Sequence, residues 1–294
     1  MIGDFPIVTF DTRAHNRLVE DGPLSEPIYA GLQSGLFFRF AALSLEELQA
    51  CPDPTTRTAL FASCGRLQHG QTDCIYPHNE LIARLVRHHH ENPATFDWKT
   101  VDVRGREYEQ AIRTREFVGD EALAADQWRA QKDAQKTYRQ MFTNLRPELE
   151  KVFEAHGEVP PATLREAVVR LQSGEGRLIW GMGKLLYDRA AETDASEGTI
   201  KQLMDVCPPF RALIYAMLMS WYDLGVRDPH TGEKFKAGRN DLFMSVYLPY
   251  CDIFVTDEKY REQEKCLREV AALAGLETKV LSYDDFYNGF LVTV

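Results

Sequence analysis

Two aspartates frame the stretch 238–260, GRNDLFMSVYLPYCDIFVTDEKY: Asp241 in the first turn of a predicted helix, and Asp257 just past the apolar run Ile253-Phe254-Val255. Such a run between Asp252 and Thr256 reads as a buried strand. In an open parallel sheet, ligands bind at the carboxyl ends of the strands. Two more acidic positions share that setting. Asp11 follows the run Pro6-Ile7-Val8-Thr9-Phe10, and Glu46-Glu47 follow the run 36–41 and Ser44, which is expected to be an N-cap. Carboxylates converging at one edge are hard oxygen donors. Mg²⁺ takes such donors at about 2.0–2.1 Å and keeps several waters. Two such ions can activate a water and stabilise a leaving oxygen at phosphorus. Each acid also has a structural role open to it: Glu46, Glu47 and Asp241 could complement helix dipoles, and Asp257 could cap a helix. Asp11 is the hardest to explain that way. Asp252 starts its strand and belongs at the opposite edge.

The elements that must position these acids alternate at both ends of the chain. Strands are expected at 6–10, 36–41, 73–76, 253–255 and 278–281, with helices between them. Asp284 and Asp285 sit in the first turn of the last helix. This order predicts a three-layer α/β/α fold with a central parallel sheet. Between 104 and 225 strand-like runs vanish, and helices are expected at 104–117, 120–144, 161–172, 177–191, 199–206 and 210–224. The predicted organisation is therefore an α/β domain in two parts, 1–103 and 226–294, separated by a helical insertion or cap at 104–225.

The chain has 294 residues and a formal net charge of −10. That balance argues against a general nucleic-acid binder, yet an acidic active site lowers net charge by itself. Six scattered cysteines without any CxxC are expected to be reduced and packed. No signal peptide and no membrane span is expected, which gives a cytoplasmic protein.

In this setting the sequence resembles the PIN-domain family of metal-dependent nucleases. The matching pieces are Ile7-Val8-Thr9-Phe10-Asp11-Thr12 with Asn16 and Leu18, then Leu43-Ser44-Leu45-Glu46-Glu47-Leu48, Asn240-Asp241, and Phe254-Val255-Thr256-Asp257. The resemblance covers about 6–85 and 239–286 and leaves out the helical block. It departs from the family at Arg13, where Asn usually follows Asp-Thr. It implies that Asp11, Glu47, Asp241 and Asp257 bind Mg²⁺ or Mn²⁺ and carry the catalysis, with Glu47 preferred over Glu46 because it precedes Leu48. Thr12, Asn16, Asn240 and Thr256 would support them, and Arg13 and Arg239 would contact phosphate. The activity implied is hydrolysis of RNA phosphodiester bonds. The partner implied is RNA, with an inhibitor or partner protein and self-association left open, and no membrane. A non-catalytic interaction module and a metal-dependent phosphatase are the alternatives.

Other features have structural roles. Gly181-Met182-Gly183-Lys184 lacks phosphate-loop spacing and is expected to serve helix packing. His88-His89-His90 is expected to be a surface cap at a helix C-terminus. Trp180, Trp221 and Tyr222 are expected in the core. Arg129, Lys132, Lys136 and Arg139 form a stripe on one helix, and Arg104, Arg106, Arg113 and Arg115 lie on another. A solvated face paired with Glu107, Glu109, Glu116 and Asp133 is the favoured account, and a guide for an RNA backbone is the functional one.

Overall fold

The computed structural model describes residues 6–68, 72–114, 119, 121–172, 177–227, 230, 234–235, 239–256 and 261–293. Five short strands, β1 (Ile7–Phe10), β2 (Phe37–Ala41), β3 (Thr72–Ile75), β4 (Ile253–Thr256) and β5 (Lys279–Ser282), form an all-parallel sheet. Their order is β3-β2-β1-β4-β5. Helices α1 (Thr12–Glu20), α2 (Glu26–Ser34), α3 (Ala42–Gln49), α4 (Pro54–Leu67) and α5 (His78–Glu91) belong to the first half. The long path from β3 to β4 continues through α6 (Arg106–Thr114), α7 (Glu121–His156), α8 (Leu164–Gln172), α9 (Arg177–Ala191), α10 (Glu197–Val206), α11 (Pro208–Ser220) and α12 (Arg239–Phe243). Helices α13 (Arg261–Leu273) and α14 (Tyr283–Thr293) flank β5.

Successive strand residues point to opposite faces, so a strand covered on both sides reads as a continuous apolar run. In β4, Val255 packs with Val8, Phe10, Phe38 and Phe40 beneath α1, α2, α4 and α14. Phe254 packs on the other face with Val280 and with residues of α5, α11 and α13. The result is the expected α/β/α layering. Tyr187 of α9, Ile200 and Leu203 of α10, and Phe210 and Leu213 of α11 share that second core with Phe254. These helices of the 104–225 segment therefore cover one face of the sheet.

The outer strand β3 is protected rather than bare. The Gly105 amide donates to the Cys74 carbonyl at 2.8 Å, and the Tyr76 amide to Val103. Glu109 is buried, accepts from the Cys74 amide at 3.2 Å, and is paired with Arg104 and Arg113. Glu109 is thus a structural plug for a sheet edge and not part of a solvated face.

Several expected details change. Helix α3 starts three residues early, at Ala42 with Ala41 as its cap, so Ser44 is not an N-cap and neither Glu46 nor Glu47 lies in a first turn. The buried Ser44 hydroxyl instead donates to the Phe10 carbonyl. Helix α7 passes Asn144 and runs through Pro147 to His156. His89 is not a surface cap. It is fully buried against Phe96 and Tyr187, with Nδ1 at 3.0 Å from the Tyr187 hydroxyl. The triplet wraps a helix end, and its middle ring faces the core.

Other expectations hold. All six cysteines are free, and all but Cys51 are buried. Trp221 and Tyr222 are buried and Trp180 packs against the core. Gly183 lies inside α9, where a Cβ would stand 2.6 Å from Ile200 Cγ2, whereas a Cβ at Gly181 would meet nothing within 4 Å. Gly183→Ala should therefore destabilise by about 1–3 kcal/mol, because the buried β-branched Ile200 cannot swing aside. Gly181→Ala, in the same helix, should be neutral or stabilise by roughly 0.5–1 kcal/mol through helix propensity. Thermal unfolding of the two variants checks this, and equal melting temperatures would contradict the close α9–α10 contact.

Candidate functional site

The chain passes from β1 outward to β2 and β3, then returns to β4 on the other side of β1. The carboxyl ends of β1 and β4 therefore mark a topological switch point, where a crevice must open because the connections diverge. Asp11 is the first residue after β1. Its amide donates to the Val255 carbonyl at 3.0 Å, extending the β1–β4 pairing by one step. Its carboxylate caps α1, with Oδ1 accepting from the Ala14 amide at 2.7 Å. Oδ2 accepts from the Thr256 hydroxyl at 2.6 Å. One oxygen is thus oriented by the N-terminus of α1 and the other by the end of β4.

Glu47 comes from α3, the helix directly after β2. One carboxylate oxygen accepts from the Thr12 hydroxyl, and the other from Asn240 Nδ2 at 2.7 Å. Arg239 Nη1 in turn donates to Asn240 Oδ1 at 2.9 Å. Asp241, in the first turn of α12, joins Asp11 and Glu47 in lining a cavity of about 310 Å³. Thr12, Arg13, Asn16 and Asn240 line it as well. Glu46 is not among the lining residues and accepts from the Tyr108 hydroxyl at 2.8 Å. Arg239 lines a neighbouring cavity with His78, Arg87 and Arg189 rather than the acidic one. Asp257 lies outside the described residues.

Burial dominates the electrostatics. Asp11 is 1% exposed, and loss of solvent pushes its carboxyl from the ordinary 3.8 up to about 7. The Thr256 and Ala14 hydrogen bonds and the Arg13 charge oppose that rise, while the Asp241 charge adds to it. Glu47 is raised for the same chief reason, with Thr12, Asn240 and Arg13 opposing and Asp241 adding. Two buried acids beside a third form a site of concentrated negative potential.

These donors are all hard oxygens, the set that suits Mg²⁺ or Mn²⁺ better than a softer ion. A divalent cation would also offset the burial of Asp11 and Glu47. Among the described residues, however, no three Asp, Glu, His or Cys side chains close on one point at metal-ligand spacing. The fit therefore rests on donor type and on a cavity with room for water, since Mg²⁺ is commonly held by one or two carboxylates and waters.

One wall of the cavity was not assigned from sequence. Trp128, Gln131, Lys132 and Gln135 of α7 line it, as does Met244. Their spacing of three and four places them on one helix face, but no local signal says which element that face meets. Among the four cations of the α7 stripe, Lys132 lines the cavity, while Arg129 pairs with Asp126.

Comparison with family models, with curated proteins and with solved structures finds no match. Among the described residues, no helix is long and apolar enough to cross a membrane.

The raised Asp11 value has a thermodynamic consequence. A carboxyl whose folded value of about 7 exceeds its unfolded 3.8 contributes stability that is full below the unfolded value. That contribution is lost as pH rises through the folded value. At pH near 8, in the presence of a chelator, the ionised side chain opposes folding. Asp11→Asn keeps the α1 cap acceptor and removes the charge. It should raise the melting temperature at pH near 8, with a stability gain on the order of a few kcal/mol. The difference should shrink to nothing near pH 3. A variant less stable than wild type at alkaline pH would mean that Asp11 is held as a stable ion by its neighbours.

Proposed function

We propose that the protein is a metal-dependent endoribonuclease of the PIN-domain type, acting in the cytoplasm. The observation that carries this is the cavity at the switch point, into which three sequence-distant segments deliver Asp11, Glu47 and Asp241. Asp257, one residue beyond Thr256, is the fourth acid of the proposal. A bound Mg²⁺ or Mn²⁺ would supply an acidified water and offset charge on the leaving oxygen.

The chain's own residues divide the remaining work. Asp11, buried and held on both oxygens, fixes the base of the site. Thr12 and Asn240 hold Glu47 in a single orientation. Arg13 and Lys132 line the same cavity and supply positive charge toward a phosphate that the three acids would otherwise repel.

A second reading, a non-catalytic interaction module, is favoured by one observation. Both oxygens of Asp11 and of Glu47 already accept hydrogen bonds from protein groups. Acids so held could serve folding alone.

Incubation of the purified protein with labelled single-stranded RNAs and Mn²⁺ separates the two. The expected result is internal cleavage leaving 5′-phosphate ends, abolished by Asp11→Asn. Thr256→Val, which leaves the carboxylate but removes the hydroxyl that orients it, should cost roughly 10–100-fold. No cleavage by wild type together with no Mn²⁺ binding would establish the non-catalytic module instead. Activity confined to a chromogenic phosphomonoester would establish the phosphatase.

A further inference from the structure

We propose that Trp128 and Lys132 of α7 form a subsite for an unpaired nucleobase and its phosphate at the mouth of the acidic cavity. The proposal rests on the nuclease activity proposed above and assigns it a substrate-positioning surface from the helical segment.

Trp128 differs from the other tryptophans in the chain. Trp221 is 6% exposed, Trp98 packs edge-on against Tyr250, and Trp180 packs on the core, whereas Trp128 remains 40% exposed while lining the cavity of Asp11, Glu47 and Asp241. Leu123, Met141 and Leu145 of α7 are exposed to a similar degree, but of the four Trp128 is the one that lines the acidic cavity. Lys132, one turn further along, brings its ammonium to 4.5 Å from the ring centroid and lines the same cavity.

The platform is also held rigidly. Gln127 Nε2 donates to Gln49 Oε1 at 3.1 Å, and Gln131 Nε2 to the Glu46 carbonyl at 3.3 Å. Both anchors belong to α3, the helix that carries Glu47. The ring and the acid are thus fixed to one another through a single helix rather than a loop.

The chemistry selects the ligand. The Lys132 ammonium lies over the ring, so a base stacking there would displace it, and the displaced ammonium would then meet that base's phosphate, as in single-strand recognition. Every base has a π-face, so such contact tolerates sequence. In a duplex those faces are covered by neighbouring bases, and reaching the ring would require unstacking. The cavity itself is acidic, so a nucleic acid needs local positive charge to approach it, and Lys132 with Arg13 provides that charge.

The test measures binding without turnover. Wild-type protein in EDTA is titrated with poly-uridine RNA, and with the same RNA paired to poly-adenine, while tryptophan fluorescence is followed. Quenching is expected with the single strand and not with the duplex. Trp128→Ala should remove the quench and weaken binding about tenfold, and Trp128→Phe should remove the quench but keep most of the affinity. Lys132→Gln should lower the salt slope by about one. Because Trp128 is exposed, the variants should match wild type in circular dichroism and melting temperature.

Unchanged affinity in Trp128→Ala, equal binding of the duplex, or no binding of either RNA would overturn the subsite. Quenching by an apolar peptide alone would do the same. If wild type fails to cleave RNA yet shows Trp128-dependent binding, the nuclease activity falls and the subsite stands. If wild type cleaves and Trp128→Ala leaves KM unchanged, the subsite falls and the nuclease activity stands.

Discussion

The structure depends on one unfavourable act, the burial of the Asp11 carboxyl at the end of the central strand. Removing a carboxylate from water costs more than a pair of neutral hydrogen bonds returns. The surroundings show how that cost is contained. The N-terminus of α1 directs its Ala14 amide at one oxygen, Thr256 at the end of β4 directs a hydroxyl at the other, and Arg13 adds a positive charge. Each contribution requires a different part of the fold to be in register. The helix must begin at Thr12, β4 must pair with β1 so that Thr256 reaches the edge, and α1 must leave the sheet at the angle that turns Arg13 inward. The site is therefore a consequence of the β1–β4 pairing and not an addition to it.

The segment 104–225 is bound into the same arrangement. Arg146 of α7 donates to the Leu224 and Arg227 carbonyls, which close the π-helical turn Trp221–Val226. Tyr138 donates to the Ser220 hydroxyl at 2.7 Å, and Phe142 is buried. These contacts fix the middle of a helix 36 residues long, about 54 Å at the α-helical rise. A rigid rod fixed at its middle carries its N-terminal part to a defined place, and that place is the carboxyl edge of the sheet. Thus a segment whose inner helices complete the core on one face also builds a wall of the acidic cavity. Packing and site formation are two ends of one helix.

What was legible in the sequence follows from how local each signal is. Strands buried on both faces announce themselves as apolar runs, so the sheet and the one acid that directly follows β1, Asp11, were readable. Thr256 was readable too, because it ends such a run. Helix starts were less so. Ser44 has the character of an N-cap, yet its hydroxyl is taken by the Phe10 carbonyl of a neighbouring strand, and α3 begins earlier. His89 was misplaced because three consecutive histidines wrap around a helix end and their average polarity conceals that the middle one faces inward. The α7 wall was not readable at all. The cations of the stripe could be counted, but whether Lys132 faces water or Asp11 is decided by contacts to α3, across more than eighty positions of sequence.

The orientation of Asn240 follows from donor and acceptor chemistry, and it bears on how the acids are used. A guanidinium can only donate, so the Asn240 atom facing Arg239 must be the carbonyl oxygen, and the amide nitrogen must then face Glu47. Glu47 consequently meets a donor on that oxygen and another, Thr12, on its partner. Both interactions favour the ionised carboxylate against the burial that disfavours it. Arg239 is itself partly desolvated and lies over the Phe243 ring at 4.7 Å, which restricts where its guanidinium can go. A fixed cation therefore orients an amide, and the oriented amide directs a donor at the acid without the cation entering the cavity. Direct contact between Arg239 and Glu47 would have occupied the carboxylate with a guanidinium. Interposing Asn240 sets the orientation of Glu47 and leaves the cavity side of the acid to a bound cation, whose charge would offset the burial that raises its pKa.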